Sequence, residues 1–100
     1  MDQPFSAGDT EVQPPVAVSQ AMPSWRPETA LEQRMDYRGA VELVIDEEGR
    51  VASATIVRSI HPRYDPLLVE AARGWVYEPA TRAGQPVRYR YTMLINLTRR

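Results

Sequence analysis

Cysteine is absent from the 100 residues, and so is lysine. Without cysteine, disulfides and thiolate metal sites are excluded, while the compartment stays open, because a cysteine-free domain suits either side of a membrane. No apolar run approaches the roughly 18 residues of a membrane span, and no h-region follows the first Met, so neither a span nor a signal peptide is read here. If the natural protein is exported, this chain is expected to be an excised piece of it. Charge of one sign is lacking too. A formal net charge of −1 argues against a general nucleic-acid or membrane-surface binder. All 12 basic residues are Arg. Bidentate carboxylate recognition is one reading of that bias, and coding preference in a GC-rich genome is the plainer one.

What is present is enough for one small domain with little core to spare. The charge is unevenly spread: residues 1–36 hold Arg26 and Arg34 against six acids, and residues 37–100 hold ten Arg against seven. An acidic leader thus precedes a mildly basic folded part. Residues 1–19 contain Pro4, Pro14, Pro15 and a Gly-Asp pair with no apolar period, and read as an extended or disordered leader. Residues 20–100 read as the domain. Pro27-Glu28-Thr29 suits a first helical turn with Pro at N1, continued by Ala30, Leu31 and Arg34.

The longest pattern is at the end. From Val87 to Thr98, Val87, Tyr89, Tyr91, Met93, Ile95 and Leu97 alternate with Arg88, Arg90, Thr92, Leu94, Asn96 and Thr98. A period of two marks a half-buried strand. At about 3.4 Å per residue it would extend roughly 40 Å, about twice the usual strand. Such a strand is expected to carry main-chain groups that lack partners within the monomer.

Upstream, Val41, Leu43 and Ile45 alternate as a first strand, and Asp46-Glu47-Glu48-Gly49-Arg50 reads as a hairpin loop with Gly49 in a left-handed conformation. Val51–Val57 returns, with a bulge near Ala52-Ser53 needed to reconcile Val51 with Ala54 and Ile56. Asp65-Pro66 reads as N-cap and N1 of a helix whose Leu68, Ala72 and Trp75 form one stripe. The order β, β, α, β gives an α+β fold: a small two-layer ββαβ domain, with a three-stranded antiparallel sheet, one main helix packed on it and a short N-terminal helix.

Other chemistry is weakly signalled. Asp46, Glu47 and Glu48 lack the spacing of a calcium loop and read as a solvated turn. His61 is the single histidine. Ser59, His61 and Asp65 sketch a triad, but one short loop is a poor place for a buried site, and Asp65 is better used as a cap. Tyr89 and Tyr91 alternate with Arg88 and Arg90, so aromatic and cationic groups do not share a base-stacking surface. No catalytic residue, metal ligand or cofactor is assigned.

The motifs Gly39-x-Val41-x-Leu43-x-Ile45-Asp46-x-x-Gly49-Arg50-Val51, Tyr64-Asp65-Pro66, Ala71-Ala72, Trp75-x-Tyr77-x-Pro79-Ala80 and Gly84-x-Pro86-Val87 strongly resemble the TonB C-terminal domain family over Gly39–Leu97. The resemblance implies a periplasmic domain of an inner-membrane-anchored protein, non-enzymatic, driven by a proton-powered motor complex through an N-terminal region outside this chain. It also implies that the TonB-box peptide of an outer-membrane transporter adds as a strand beside the last strand. On that basis Arg88, Arg90, Thr92, Leu94 and Asn96 are the expected partner contacts, with Gln20 added through a loosely similar upstream segment. The leader then corresponds to the end of a Pro-containing spacer. A strand-exchanged homodimer is a further expectation. The competing expectation is a TonB-like interaction domain of a sensor or another cell-envelope protein, not coupled to transport.

Overall fold

The computed structural model of the protein describes residues 4–6, 8–9 and 11–97. In chain order the elements are β1 (Val12–Gln13), β2 (Val16–Ser19), α1 (Ala30–Arg34), β3 (Tyr37–Ile45), β4 (Val51–Arg58), α2 (Asp65–Ala72), β5 (Val76–Glu78), β6 (Ala80–Arg82), β7 (Gln85–Val87) and β8 (Tyr89–Leu97). No helix among the described residues is long and apolar enough to cross a membrane.

β3 is the strand on which the rest assembles. Val41, Leu43 and Ile45 alternate on its inner face, each fully buried. β4 pairs antiparallel on one side of it and β8 on the other, giving the order β4-β3-β8. The inner face packs on Leu68 and Ala72 of α2 and on Ile60, Tyr64, Trp75 and Tyr77. This is the expected α+β arrangement, with α2 as the main helix and α1 as the short one. Thr29 caps α1 by accepting from the Glu32 N–H at 3.0 Å. The Glu32 carboxylate in turn accepts from the Glu28 N–H at 2.8 Å, so both open donors are met at once.

Asp65 departs from expectation. It lies inside α2 rather than at its N-cap, which is Tyr64. Its carboxylate is spent on the preceding loop, accepting from the Ile60 and His61 N–H groups at 2.9 and 3.2 Å. The expected bulge exists: Ile45 pairs with Val51 and Val44 with Ser53, leaving Ala52 as the extra residue. A second bulge, at Val57, follows from Val41 pairing with Ile56 and Ala40 with Arg58.

The leader is extended, but among the described residues it is paired rather than free. β1 lies antiparallel on β6, and β2 antiparallel on β5. Beyond β2 the chain crosses the core and is tied down by three buried aromatic donors. Tyr77 OH donates to Gln20 Oε1 at 3.3 Å, Trp75 Nε1 to the Ala21 carbonyl at 2.8 Å, and Tyr64 OH to the Pro23 carbonyl at 2.8 Å. Trp25 then stacks edge-on to Tyr37 and Tyr64 and lies 4.9 Å below the Arg63 guanidinium.

Gly49 closes the β3–β4 hairpin at φ 84°. Its carbonyl accepts from the Tyr77 N–H at 2.8 Å. A Cβ there would fall 1.8 Å from the Tyr77 carbonyl oxygen, whereas at Gly84, φ 80°, a Cβ would meet nothing within 4 Å. Gly49→Ala therefore combines left-handed strain with a backbone clash and is expected to lower stability by about 3 kcal/mol. Gly84→Ala, with the strain alone, is expected to cost about 1 kcal/mol. Denaturant melts of the two variants check the difference.

Glu32 gives a second expectation. The Arg63 guanidinium (2.7 and 2.9 Å) and the Glu28 N–H hold its carboxyl down from the usual 4.5 to about 2. A depressed carboxyl contributes stability above its unfolded value, and that contribution disappears as pH falls through the folded one. Stability is thus expected to decline between about pH 4.5 and 2, and Glu32→Gln to flatten that decline in acid melts.

Candidate functional site

The sheet has two edges, and they differ. β4 is 8 residues long and is broken by the bulges at Ala52 and Val57. Bulges bend and twist an edge and discourage another strand from joining it. β8 is 9 residues long and pairs with β3 from Tyr37↔Leu97 to Ile45↔Tyr89 without a single register shift. Its outer edge is therefore regular along its whole length.

This corrects the expected twelve-residue strand. The chain breaks at Arg88, and Gln85–Val87 belongs to a hairpin with β6 instead. Thr98 lies outside the described residues. β8 matches β3 in length, so its spare main-chain groups come from its position at the edge and not from excess length. The two-residue turn at Ala83-Gly84, both with positive φ, makes the break, because it folds β7 back onto β6 before the main strand starts.

The phase of the edge follows from the leader. The Phe5 N–H donates to the Arg88 carbonyl at 3.0 Å, and the Arg90 N–H donates to the Phe5 carbonyl at 2.6 Å. Main-chain groups along a strand turn alternately to either side. Those of Arg88, Arg90, Thr92, Leu94 and Asn96 therefore face outward, while those of Tyr89, Tyr91, Met93, Ile95 and Leu97 serve the β3 ladder. Beyond Arg90 the outer groups of Thr92, Leu94 and Asn96 have no strand partner among the described residues.

The side chains of the same five residues project from the outer face of the sheet and are exposed. Leu94 is 77% exposed. Arg90 approaches Glu42 at 3.6 Å and Arg88 approaches Glu47 at 3.7 Å, both partly solvated. Exposed pairs of this kind add little stability. The structure thus brings Arg90, Thr92, Leu94 and Asn96 together on β8, with Arg88 in the link just before it. It does not bring Gln20 to them. Gln20 lies on the core side of the sheet, between the Tyr77 hydroxyl and the Met93 sulfur, where its Nε2 is 3.5 Å from Sδ.

Tyr89, Met93, Ile95 and Leu97 are buried on the inner face. Tyr91 is not. It is exposed at the rim of a cleft of about 560 Å³ between Ser6, Gly8 and Pro14 of the leader and Tyr89–Thr92 of β8. The cleft borders the open part of the edge, and the sequence pattern gave no sign of it, because the leader residues that form its far wall carry no periodicity.

The Ser59, His61, Asp65 group does not form a triad. Ser59 Oγ bonds to Asp65, while His61 Nδ1 accepts from the Arg63 N–H at 3.0 Å and Nε2 faces Glu32 Oε2 at 3.1 Å. With Nδ1 accepting, Nε2 carries the proton and donates to Glu32. Nδ1 braces the loop before α2 from within, and Nε2 fastens that loop to α1.

The family model for the Gram-negative bacterial TonB protein C-terminal matches residues 27–97. A solution NMR structure of the Pseudomonas aeruginosa TonB C-terminal domain superposes with a TM-score of 0.64 at 20% sequence identity, covering 97% of this chain and 95% of that one. At that identity the likeness is one of fold. No curated protein matches the chain.

The tyrosines under the site have a readable signature. Burial, with a smaller contribution from Tyr91, pushes the Tyr77 phenol up from its usual 10.0 to about 12, and burial raises Tyr64 and Tyr89 as well. A phenol with a raised folded value stabilises fully below its unfolded value, and that contribution is lost as pH rises through the folded one. Stability is expected to fall from about pH 10 towards 12, and Tyr77→Phe to make the fall shallower in urea melts across that range.

Proposed function

The chain belongs to the TonB C-terminal family, and from that premise we propose that it is the periplasmic C-terminal domain of a TonB-like energy transducer. In this reading it binds the TonB-box peptide of an outer-membrane transporter by strand addition to β8. It then transmits pulling force from an inner-membrane, proton-driven motor complex reached through an N-terminal region outside this chain. Residues 20–100 form the domain and residues 1–19 the end of a spacer. The domain is a non-enzymatic, cofactor-free protein-interaction module.

The observation that carries the reading is the contrast between the two sheet edges. β4 is bulged twice, whereas β8, in unbroken register, offers N–H and C=O groups at Thr92, Leu94 and Asn96 that have no strand partner among the described residues. In strand addition, main-chain hydrogen bonds supply affinity and alternate side chains supply selectivity. Arg88, Arg90, Thr92, Leu94 and Asn96 would meet the guest. Gln20 would act indirectly, by holding Met93 and Tyr77 beneath the strand.

A ladder also suits a pulling device. Each main-chain bond contributes only about 1 kcal/mol net in water. Load applied along the strand is shared by several such bonds together, so resistance to pulling does not require tight equilibrium binding. A second copy of β8 satisfies the same groups, which makes a homodimer the self-paired counterpart of the peptide complex.

Proline tests the assignment because it removes one donor at a chosen parity. Thr92→Pro deletes an outward N–H and leaves the β3 ladder intact, so the variant is expected to stay folded and to bind a TonB-box peptide about tenfold more weakly. Met93→Pro deletes an inward donor and is expected to unfold the sheet. Peptide titrations followed by NMR, with circular dichroism for folding, check both. Unchanged affinity in folded Thr92→Pro would remove β8 as the docking strand.

A further inference from the structure

The leader does more than lie along the domain: one residue of it occupies the edge assigned to a guest. Phe5 forms an isolated parallel bridge with Tyr89, through the Arg88 carbonyl and the Arg90 N–H. Its ring enters a small apolar cluster separate from the main core, made by Val12, Ala80 and Tyr89 with Val87 at the margin. The Arg82 guanidinium lies 5.5 Å from the ring centroid. The chain then leaves the edge at once. The Ser6 N–H donates to Asp9 Oδ2 at 2.7 Å and the Asp9 N–H to the Ser6 carbonyl at 2.9 Å, a turn that carries the leader away towards β1.

We propose that the notch of Val12, Ala80, Val87 and Tyr89 at the start of β8 is a side-chain subsite of the docking edge, taking one aromatic residue of an extended guest peptide, with Phe5 as its resting occupant. The proposal rests on the reading of β8 as the docking strand. The structure holds the notch filled by an extended segment whose main chain already makes the two bonds a guest would make there. The Arg82 cation over the ring favours an aromatic over an aliphatic occupant. The cleft between the leader turn and Tyr89–Thr92 gives a longer strand room to continue along Thr92, Leu94 and Asn96.

Phe5 is attached to the edge through one residue, and a guest strand is attached through several. The leader is therefore displaceable, and it lowers apparent guest affinity only by the fraction of chains in which the notch is free. In this arrangement Phe5 covers the first outward groups of β8 until an aromatic-bearing strand replaces it.

The test uses the full chain and its Phe5→Ala variant, whose change lies outside the main core. The probes are two TonB-box peptides that differ only in carrying Phe or Ala at the residue set opposite Tyr89. Against Phe5→Ala, the Phe peptide is expected to bind about tenfold more tightly than the Ala peptide. The unsubstituted chain is expected to bind both peptides more weakly than Phe5→Ala by a common factor, because Phe5 must leave the edge before either can occupy it. Hydrogen exchange at the Arg90 amide in the free proteins should be slow with Phe5 present and fast without it. Equal affinity of the two peptides for Phe5→Ala overturns the subsite, and equal Arg90 exchange in the two chains overturns Phe5 as its occupant. No binding of either peptide to either chain overturns the docking-edge reading itself, and the subsite with it.

Discussion

Everything in this domain depends on β3 being the middle strand. Its inner residues Val41, Leu43 and Ile45 are fully buried, and its main chain is consumed on both sides by β4 and β8. A sheet of three strands has two edges, and each must be blunted or used. β4 is blunted by bulges at Ala52 and Val57. β8 runs without a register shift, and that asymmetry is the reason the proposed strand addition is assigned to one side of the sheet. The register between β3 and β8 then decides which residues of β8 look outward, so the chemistry of the edge is a consequence of the core.

The inner face of so small a sheet is more than one short helix can cover. Leu68 and Ala72 of α2 cover part of it, and the crossing segment from Gln20 to Trp25 covers more. That segment has no helix or strand of its own, so its main-chain carbonyls need partners. Trp75 and Tyr64 supply them at Ala21 and Pro23, each using the polar tip of an otherwise buried ring. The Glu32, Arg63 and His61 cluster fastens α1 to the loop before α2 at the same end. The residues that fix the core thereby fix the path of the leader, which reaches the β8 edge at Phe5.

Much of this was legible in the sequence because it is local. Alternation at Val41, Leu43 and Ile45, Gly49 in the hairpin, the mixed parity that demanded a bulge at Ala52, and the stripe of Leu68 and Ala72 each follow from short-range geometry. So do Arg90, Thr92, Leu94 and Asn96, the outward residues of β8. What escaped depends on tertiary pairing. β1 and β2 are strands only because β6 and β5 are beside them, and a proline-containing leader carries no period to announce that. The break at Arg88 interrupts no alternation, since Val87 and Tyr89 keep the same parity on either side of it. The resemblance puts Gln20 at a partner contact, whereas the structure sets its side chain against the Met93 sulfur. The Thr-x-x-Glu spacing of Thr29 and Glu32 marks the start of α1 more closely than Pro27 does.

The central claim is that a partner strand takes the outward main-chain groups of β8. Residue-resolved hydrogen exchange of the full chain, with and without a saturating TonB-box peptide, tests it most directly. The expected result is new protection at the amides of Thr92, Leu94 and Asn96, with Met93 and Ile95, already bonded to β3, little changed. Protection appearing instead along Val51–Arg58 of β4, or at both parities of β8 alike, would contradict it.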